Sequence, residues 1–89
     1  MARKLPQPIT HEDFEKLLTE AKKQFKGIRV EEIDGLKIWL DESTWILFRS
    51  SANAPEFRVF AESKEESKAR QLLNEGCEFV NNIISNNNG

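Results

Sequence analysis

The chain has 89 residues, which is enough for one domain with a modest core and too few for a multi-domain active site. Thirteen Lys and Arg residues against fifteen Asp and Glu residues give a net charge of -2, so no overall positive field favours a nucleic acid or membrane partner. A single cysteine excludes an internal disulfide, and no segment resembles a signal peptide or a membrane span. These features predict a cytoplasmic protein.

The first predicted element is a helix that follows an unpatterned start. MARKLPQP carries two prolines and no hydrophobic period, so residues 1–9 are predicted to be a linker outside the fold. Thr10 precedes Asp13 by three residues, a spacing typical of a helix start. Apolar residues then recur at helical spacing and stop before Gly27, which predicts one amphipathic helix built on Phe14, Leu17, Leu18, Ala21 and Phe25.

Four strands are predicted in the middle of the chain. Apolar and charged residues alternate from IRV onward, which predicts the first strand. Asp34-Gly35 is a strong hairpin signal and leads into a second strand, LKIWL. TWILF and FRVFA follow as two further strands. In FRVFA the period of two places Arg58 on the face opposite to the core residues.

A long final helix completes the predicted fold. Ser63 and Glu66 have capping-box spacing, and an apolar stripe at helical period runs from Ala69 to Ile84. The remaining residues 86–89 hold nothing to anchor them and are predicted to be a disordered tail. Two amphipathic helices can cover one face of an antiparallel four-stranded sheet. We therefore predict a two-layer α+β sandwich over residues 10–85, with the order α-β-β-β-β-α.

Isolated reactive side chains have ordinary explanations. His11 lies in the first turn of a helix and has no candidate partners nearby, so it is interpreted as an exposed helix residue. Cys77 falls on the apolar stripe without a basic neighbour in the sequence, which indicates a core residue rather than a nucleophile. Trp39 and Trp45 are interpreted as sheet-packing residues, with a stacking platform as the alternative. No pattern predicts a metal site or a bound cofactor in this domain.

The segment RSSANAPEFR, residues 49–58, joins the last two predicted strands. Asn53 and Pro55 suit a plain turn. Arg49 at the end of a strand, followed by hydroxyl, amide and backbone N–H donors, also suits an oxyanion such as a phosphomonoester. From the residues alone, both interpretations stay open.

The run DGLKIWLDESTWILFRSSANAPEFRVFAES resembles the C-terminal domain of the α-D-phosphohexomutases, the phosphoglucomutase and phosphomannomutase family. That domain has an Asp-Gly hairpin, a loop of the form R-x-S-[GN]-T-x-P, a strand that ends in Glu-Ala and a long final helix. The similarity covers about residues 9 to 85, and the loop is its most specific part. It implies a TATA-box-binding-protein-like fold whose loop grips a sugar phosphate.

The resemblance assigns phosphate ligands residue by residue. Arg49 and Ser51 match the side-chain ligands of the family loop. Ala52 stands where the family has glycine or asparagine, so its backbone N–H would serve, and Asn53 replaces the usual threonine. Two further residues are possible ligands, namely Ser50 and Arg58.

The resemblance also implies a role within a longer enzyme. The family's phosphoserine and Mg²⁺ site lie in domains that these 89 residues do not include, so the chain alone is not expected to be catalytic. It would hold the non-reacting phosphate of a glucose, mannose or glucosamine phosphate, with the other domains as partners. Two alternatives stay open: a stand-alone phosphosugar-binding or regulatory module of the same fold, and an unrelated α+β interaction domain such as an RNA-binding sheet. The second is disfavoured by the negative charge and the lack of paired aromatics flanked by basic residues.

Overall fold

The fold is known from a computed structural model that describes residues 1–5, 9–33, 35–50 and 57–88. Its helices and strands follow along the chain as β1 (Ala2–Leu5), α1 (His11–Gln24), β2 (Arg29–Glu31), β3 (Leu36–Trp39), β4 (Trp45–Ser50), β5 (Phe57–Glu62) and α2 (Glu66–Asn88). The strands form one antiparallel sheet in the order β1-β5-β4-β3-β2. Among the described helices, none is both long and apolar enough to cross a membrane.

The two helices begin close to their predicted starts. Thr10 caps α1, because its hydroxyl oxygen accepts a hydrogen bond of 3.1 Å from the backbone N–H of Asp13. The helix α2 begins at Glu66, and the hydroxyl oxygen of Ser63 accepts from the N–H of Glu65 instead of capping the helix directly. At its other end α2 continues to Asn88, so it includes residues 86–88 that the sequence assigned to a tail.

Both helices lie on the same face of the sheet and bury it. The fully buried side chains of the sheet alternate along β3, β4 and β5, which is the pattern of strands with one covered face. Single residues of α1 and a continuous stripe of α2 complete one core, which comprises Leu17, Ala21, Phe25, Leu36, Ile38, Ile46, Phe48, Phe57, Val59, Ala61, Leu72, Leu73, Cys77, Phe79, Val80, Ile83 and Ile84, with Leu5 at its margin. The predicted α+β class with an antiparallel sheet and two helices is therefore confirmed.

The predicted strand count was wrong, because the sheet has a fifth strand in the segment assigned to a linker. Residues 2–5 pair antiparallel with β5, from Ala2 opposite Phe60 to Leu5 opposite Phe57. The N-terminal amino group donates to the carbonyl of Ala61 and lies 2.6 Å from the carboxylate of Glu62. Without this strand, β5 would be an edge with unpaired backbone groups, so pairing with β5 recruits a segment too short to show a strand period.

The hairpin between β2 and β3 contains the glycine that the sequence singled out. Gly35 has a φ of 103°, a conformation that favours glycine because no Cβ clashes there. Asp34 lies outside the described residues. Gly35 also sits against β4, since a Cβ at this position would lie 3.2 Å from the Cα of Arg49.

Candidate functional site

The face of the sheet opposite the helices, here called the open face, carries the two described arginines of the candidate site. Arg49 follows Phe48 in β4, and the Phe48 side chain is completely buried on the helix side. Arg58 lies between Phe57 and Val59 in β5, which are also completely buried. Because side chains alternate across a strand, both arginines extend from the open face.

The strand register brings these two arginines together. Arg49 is the direct cross-strand partner of Arg58, and side chains in such a pair have Cβ atoms about 4.5–5.5 Å apart. Arg49 is exposed and Arg58 is half-buried. The register therefore places two guanidinium groups side by side on the open face, although the chain as a whole is acidic.

The predicted phosphate loop begins and ends beside this pair. Ser50 and Phe57 are the last paired residues of β4 and β5, so the loop connects adjacent positions on neighbouring strands. Ser51, Ala52 and Asn53 lie outside the described residues, and their roles stay predictions. Ser50 is an exposed residue that pairs with the core residue Phe57, so its side chain starts on the helix side of the sheet, away from both arginines.

A third basic residue of the open face was missed by the sequence interpretation. Lys4 in β1 is the cross-strand partner of Arg58, on the side opposite to Arg49. It is exposed, whereas the next residue, Leu5, is buried in the core. The apolar Leu5 beside a charged Lys4 is the beginning of a strand alternation, but four residues are too few for that signal to stand out.

The opposite end of the open face carries an aromatic cluster. The rings of Trp39 and Trp45 lie 6.4 Å apart, and the Lys37 ammonium lies 4.4 and 4.2 Å from their respective centroids. The Arg29 guanidinium lies 4.6 Å from the Trp39 ring, and the indole N–H of Trp39 donates to the carboxylate of Glu31 at 2.9 Å. These side chains satisfy one another through cation–π and hydrogen-bond contacts, as the packing interpretation of the tryptophans expects.

The surroundings of His11 and Cys77 match the non-reactive roles that the sequence predicts for them. His11 is exposed, with its Nε2 3.8 Å from the carboxylate of Glu15. Cys77 is buried, and burial raises the pKa of its thiol above the ordinary value although the guanidinium of Arg3 acts in the opposite direction. The sequence interpretation missed Arg3 because that residue approaches from β1. Within the described part of the chain, no three His, Cys, Asp or Glu side chains are grouped as metal ligands.

Comparison with known proteins identifies the family. No family model matches the chain. It is 33% identical over 84 residues to a protein named probable phosphoglucosamine mutase from Methanothermobacter thermautotrophicus, and this match covers 91% of the chain. It is 36% identical over 86 residues, 94% of the chain, to phosphoglucosamine mutase of Methanococcus vannielii. The chain belongs to the phosphohexomutase family.

The extent of these matches indicates a single domain. A phosphoglucomutase/phosphomannomutase of Thermococcus kodakarensis is 37% identical over 59 residues, which are 66% of this chain and 13% of that protein. The two phosphoglucosamine mutases are each matched over 19% of their length. The chain therefore spans about a fifth or less of these phosphohexomutases, which agrees with the resemblance to one domain of the family.

Proposed function

We propose that this chain is the phosphate-binding domain of a phosphohexomutase and holds the non-reacting phosphate of a hexose phosphate during intramolecular phosphoryl transfer. The observation that carries the proposal is the register of Arg49 opposite Arg58 on the open face, at the two strand ends that flank the loop. Arg49, which matches the loop arginine of the family, therefore has a second cationic side chain, that of Arg58, beside it. The glucose, mannose or glucosamine phosphates that the relatives' names suggest are the proposed ligands.

The side chains of this site suit a phosphate dianion. A guanidinium presents planar N–H groups that bind phosphate oxygens through two parallel charge-assisted hydrogen bonds. Two guanidinium groups on neighbouring strands would balance the two negative charges of a phosphomonoester. The hydroxyl of Ser51, the amide of Asn53 and the backbone N–H of Ala52 are the further proposed donors, and Ser50 is proposed to contribute through its backbone.

Binding the inert phosphate would orient the reacting end of the sugar. Interactions with a non-reacting part of a substrate lower the barrier when they hold the reacting group in position. The phosphoserine and Mg²⁺ site that the family implies would belong to other domains. The proposed enzyme is an isomerase in which this domain positions the substrate and closes over it.

Titration of the chain with hexose phosphates tests the proposal. We expect glucose 6-phosphate to shift the backbone amide NMR signals of residues 49 to 58 and to leave those of α1 unchanged. Arg49→Ala should weaken binding by about tenfold to a hundredfold, since a hydrogen bond to a charged group contributes about 1.5–3 kcal/mol. Arg70→Ala is the matched control, because Arg70 is an exposed arginine on α2 that pairs with Glu66. Equal binding by the Arg49 variant and the wild type would contradict the assignment.

A stand-alone phosphosugar-binding or regulatory module is the second candidate. The motivating observation is the loop sequence, in which Ala52, Asn53 and Ala54 replace residues that are usual in the family. The size of the native polypeptide, measured by immunoblot of the source cells, distinguishes the two candidates. A species of about 10.3 kDa would favour the module, and a species several times larger would favour the domain of an enzyme.

A further inference from the structure

The geometry points to Lys4 as a third phosphate-binding cation beside Arg58 and Arg49, and we infer an anion site on the strands β1, β5 and β4. This inference rests on the proposed function. The cross-strand partners Lys4, Arg58 and Arg49 form a straight row, here called the basic row, across three neighbouring strands. Lys4 extends the proposed site to β1, a strand that precedes the loop by more than forty positions in the chain.

The positions within the basic row allow one anion to contact all three side chains. Neighbouring strands lie about 4.8 Å apart, so the Cα atoms of Lys4 and Arg49 are separated by about 10 Å with Arg58 midway. Arginine and lysine side chains are long and flexible enough to converge on a phosphate above the central residue. The row ends at Gly35, which lies against Arg49 and has no side chain that would obstruct an approaching ligand.

The backbone of β1 holds Lys4 in place before any ligand binds. On one side of it, the backbone N–H of Ala61 donates to the carbonyl of Met1 at 2.8 Å. The Arg3 guanidinium donates to the side-chain oxygen of Asn74 in α2 at 2.8 Å. Leu5 on its other side is buried in the core. These contacts fix the strand without using the Lys4 ammonium.

The charge distribution supports a ligand rather than a structural role for Lys4. Three lysines have carboxylate partners, namely Lys22, Lys23 and Lys68, whereas others, such as Lys16 and Lys64, form no ion pair with a described residue. Lys4 makes no ion pair with any described residue and instead stands opposite another cation. A bound dianion would attract the ammonium of Lys4 and the guanidinium of Arg58 at the same time.

Binding measurements on Lys4 variants test the inference. We expect Lys4→Ala to weaken glucose 6-phosphate binding about threefold to fivefold, the effect of losing one exposed ion pair. Lys4→Arg should retain binding, because it keeps the charge. Lys64→Ala, at an exposed lysine before α2, should bind as the wild type does. Inorganic phosphate is titrated in parallel. The same loss of affinity in Lys4→Ala with this ligand would show that the basic row binds the phosphate group and not the sugar.

A thermal-shift series separates a binding role from a structural one. Without ligand, Lys4→Ala and Lys4→Gln should melt close to the wild-type temperature, because Lys4 is exposed and forms no ion pair with a described residue. With phosphate at constant ionic strength, the wild type should gain more in Tm than either variant. A lower Tm without ligand together with unchanged affinity would assign Lys4 to strand packing and overturn the inference.

The outcomes distinguish this inference from the proposed function. If Lys4→Ala binds glucose 6-phosphate as the wild type does while Arg49→Ala loses binding, the inference about Lys4 is wrong and the proposed function stands. If the wild type binds neither glucose 6-phosphate nor inorganic phosphate, both are wrong. Weaker binding by Lys4→Ala, with rescue by Lys4→Arg, supports both.

Discussion

Replacing Gly76 with alanine tests how closely α2 approaches the sheet. A Cβ at this position would lie 2.5 Å from Cδ1 of Ile46 and 3.1 Å from Cγ1 of Val59, and both residues are completely buried. Alanine gains about 1 kcal/mol over glycine in a helix interior, whereas overpacking a core costs about 1–3 kcal/mol. The expected net loss in the free energy of unfolding is therefore about 1 kcal/mol. For a domain of this size, that loss lowers Tm by about 4–8 °C.

Urea denaturation followed by circular dichroism measures this change. Asn81→Ala is the control, because Asn81 is an exposed residue of the same helix and its replacement should stabilise the fold slightly. Ile46→Val removes the methyl group that the new Cβ would meet. The double variant should consequently lose less than the sum of the two single losses. A Gly76→Ala variant more stable than the wild type would show that Cδ1 of Ile46 moves aside at little cost, and would refute the expected overpacking.

Two further predictions concern the buried stripe of α2. Leu73→Ala should lower the free energy of unfolding by about 2–5 kcal/mol through loss of burial and a residual cavity, and a urea midpoint equal to that of the wild type would contradict the packing of this helix. Burial raises the pKa of Cys77 above its ordinary value of 9.0, so the folded state favours the neutral thiol and stability should fall as pH rises from about 9 through the folded-state pKa. Comparison with Cys77→Ala at pH 8 and 10 isolates this effect, and identical pH dependence of the two proteins would show that the thiol does not contribute.

Most of the fold can be predicted from the spacing of apolar residues in the sequence, because the core is built from long stretches with a regular period. The stripe from Ala69 to Ile84 lies on the buried side of α2, and Thr10 caps α1 as its spacing predicts. Phe79 joins that stripe although the sequence interpretation omitted it, since it packs edge-on against Phe25 with ring centroids 5.5 Å apart. A helix with a wide buried face accepts such a residue beside its main stripe.

The first strand could not be predicted, because its formation depends on a distant partner. ARKL has two charged residues and one buried leucine, and it precedes two prolines. It pairs with β5 because β5 would otherwise be a sheet edge. A local pattern contains no information about an unpaired edge more than fifty positions away in the chain.

The candidate site was predictable in part for the same reason. Alternation in FRVFA correctly places Arg58 on the face away from the core. Arg49 lies opposite Arg58 because of the register between β4 and β5. The sequence alone does not determine this register, because it does not show where each strand ends and the loop begins. The contribution of Lys4 depends on both the register and the unpredicted strand. Single residues of the site were therefore visible in the sequence, whereas their assembly into one row was not.

Under the proposed function, the two faces of the sheet would serve stability and recognition separately. On the helix face, the buried strand positions are apolar, and truncation of these side chains should cost stability. On the open face, the basic row sets three positive side chains side by side in a chain of net charge -2. Truncation of Lys4, which is exposed, should thus leave the fold intact while weakening phosphate binding, whereas truncation of a buried residue such as Val59 should lower stability.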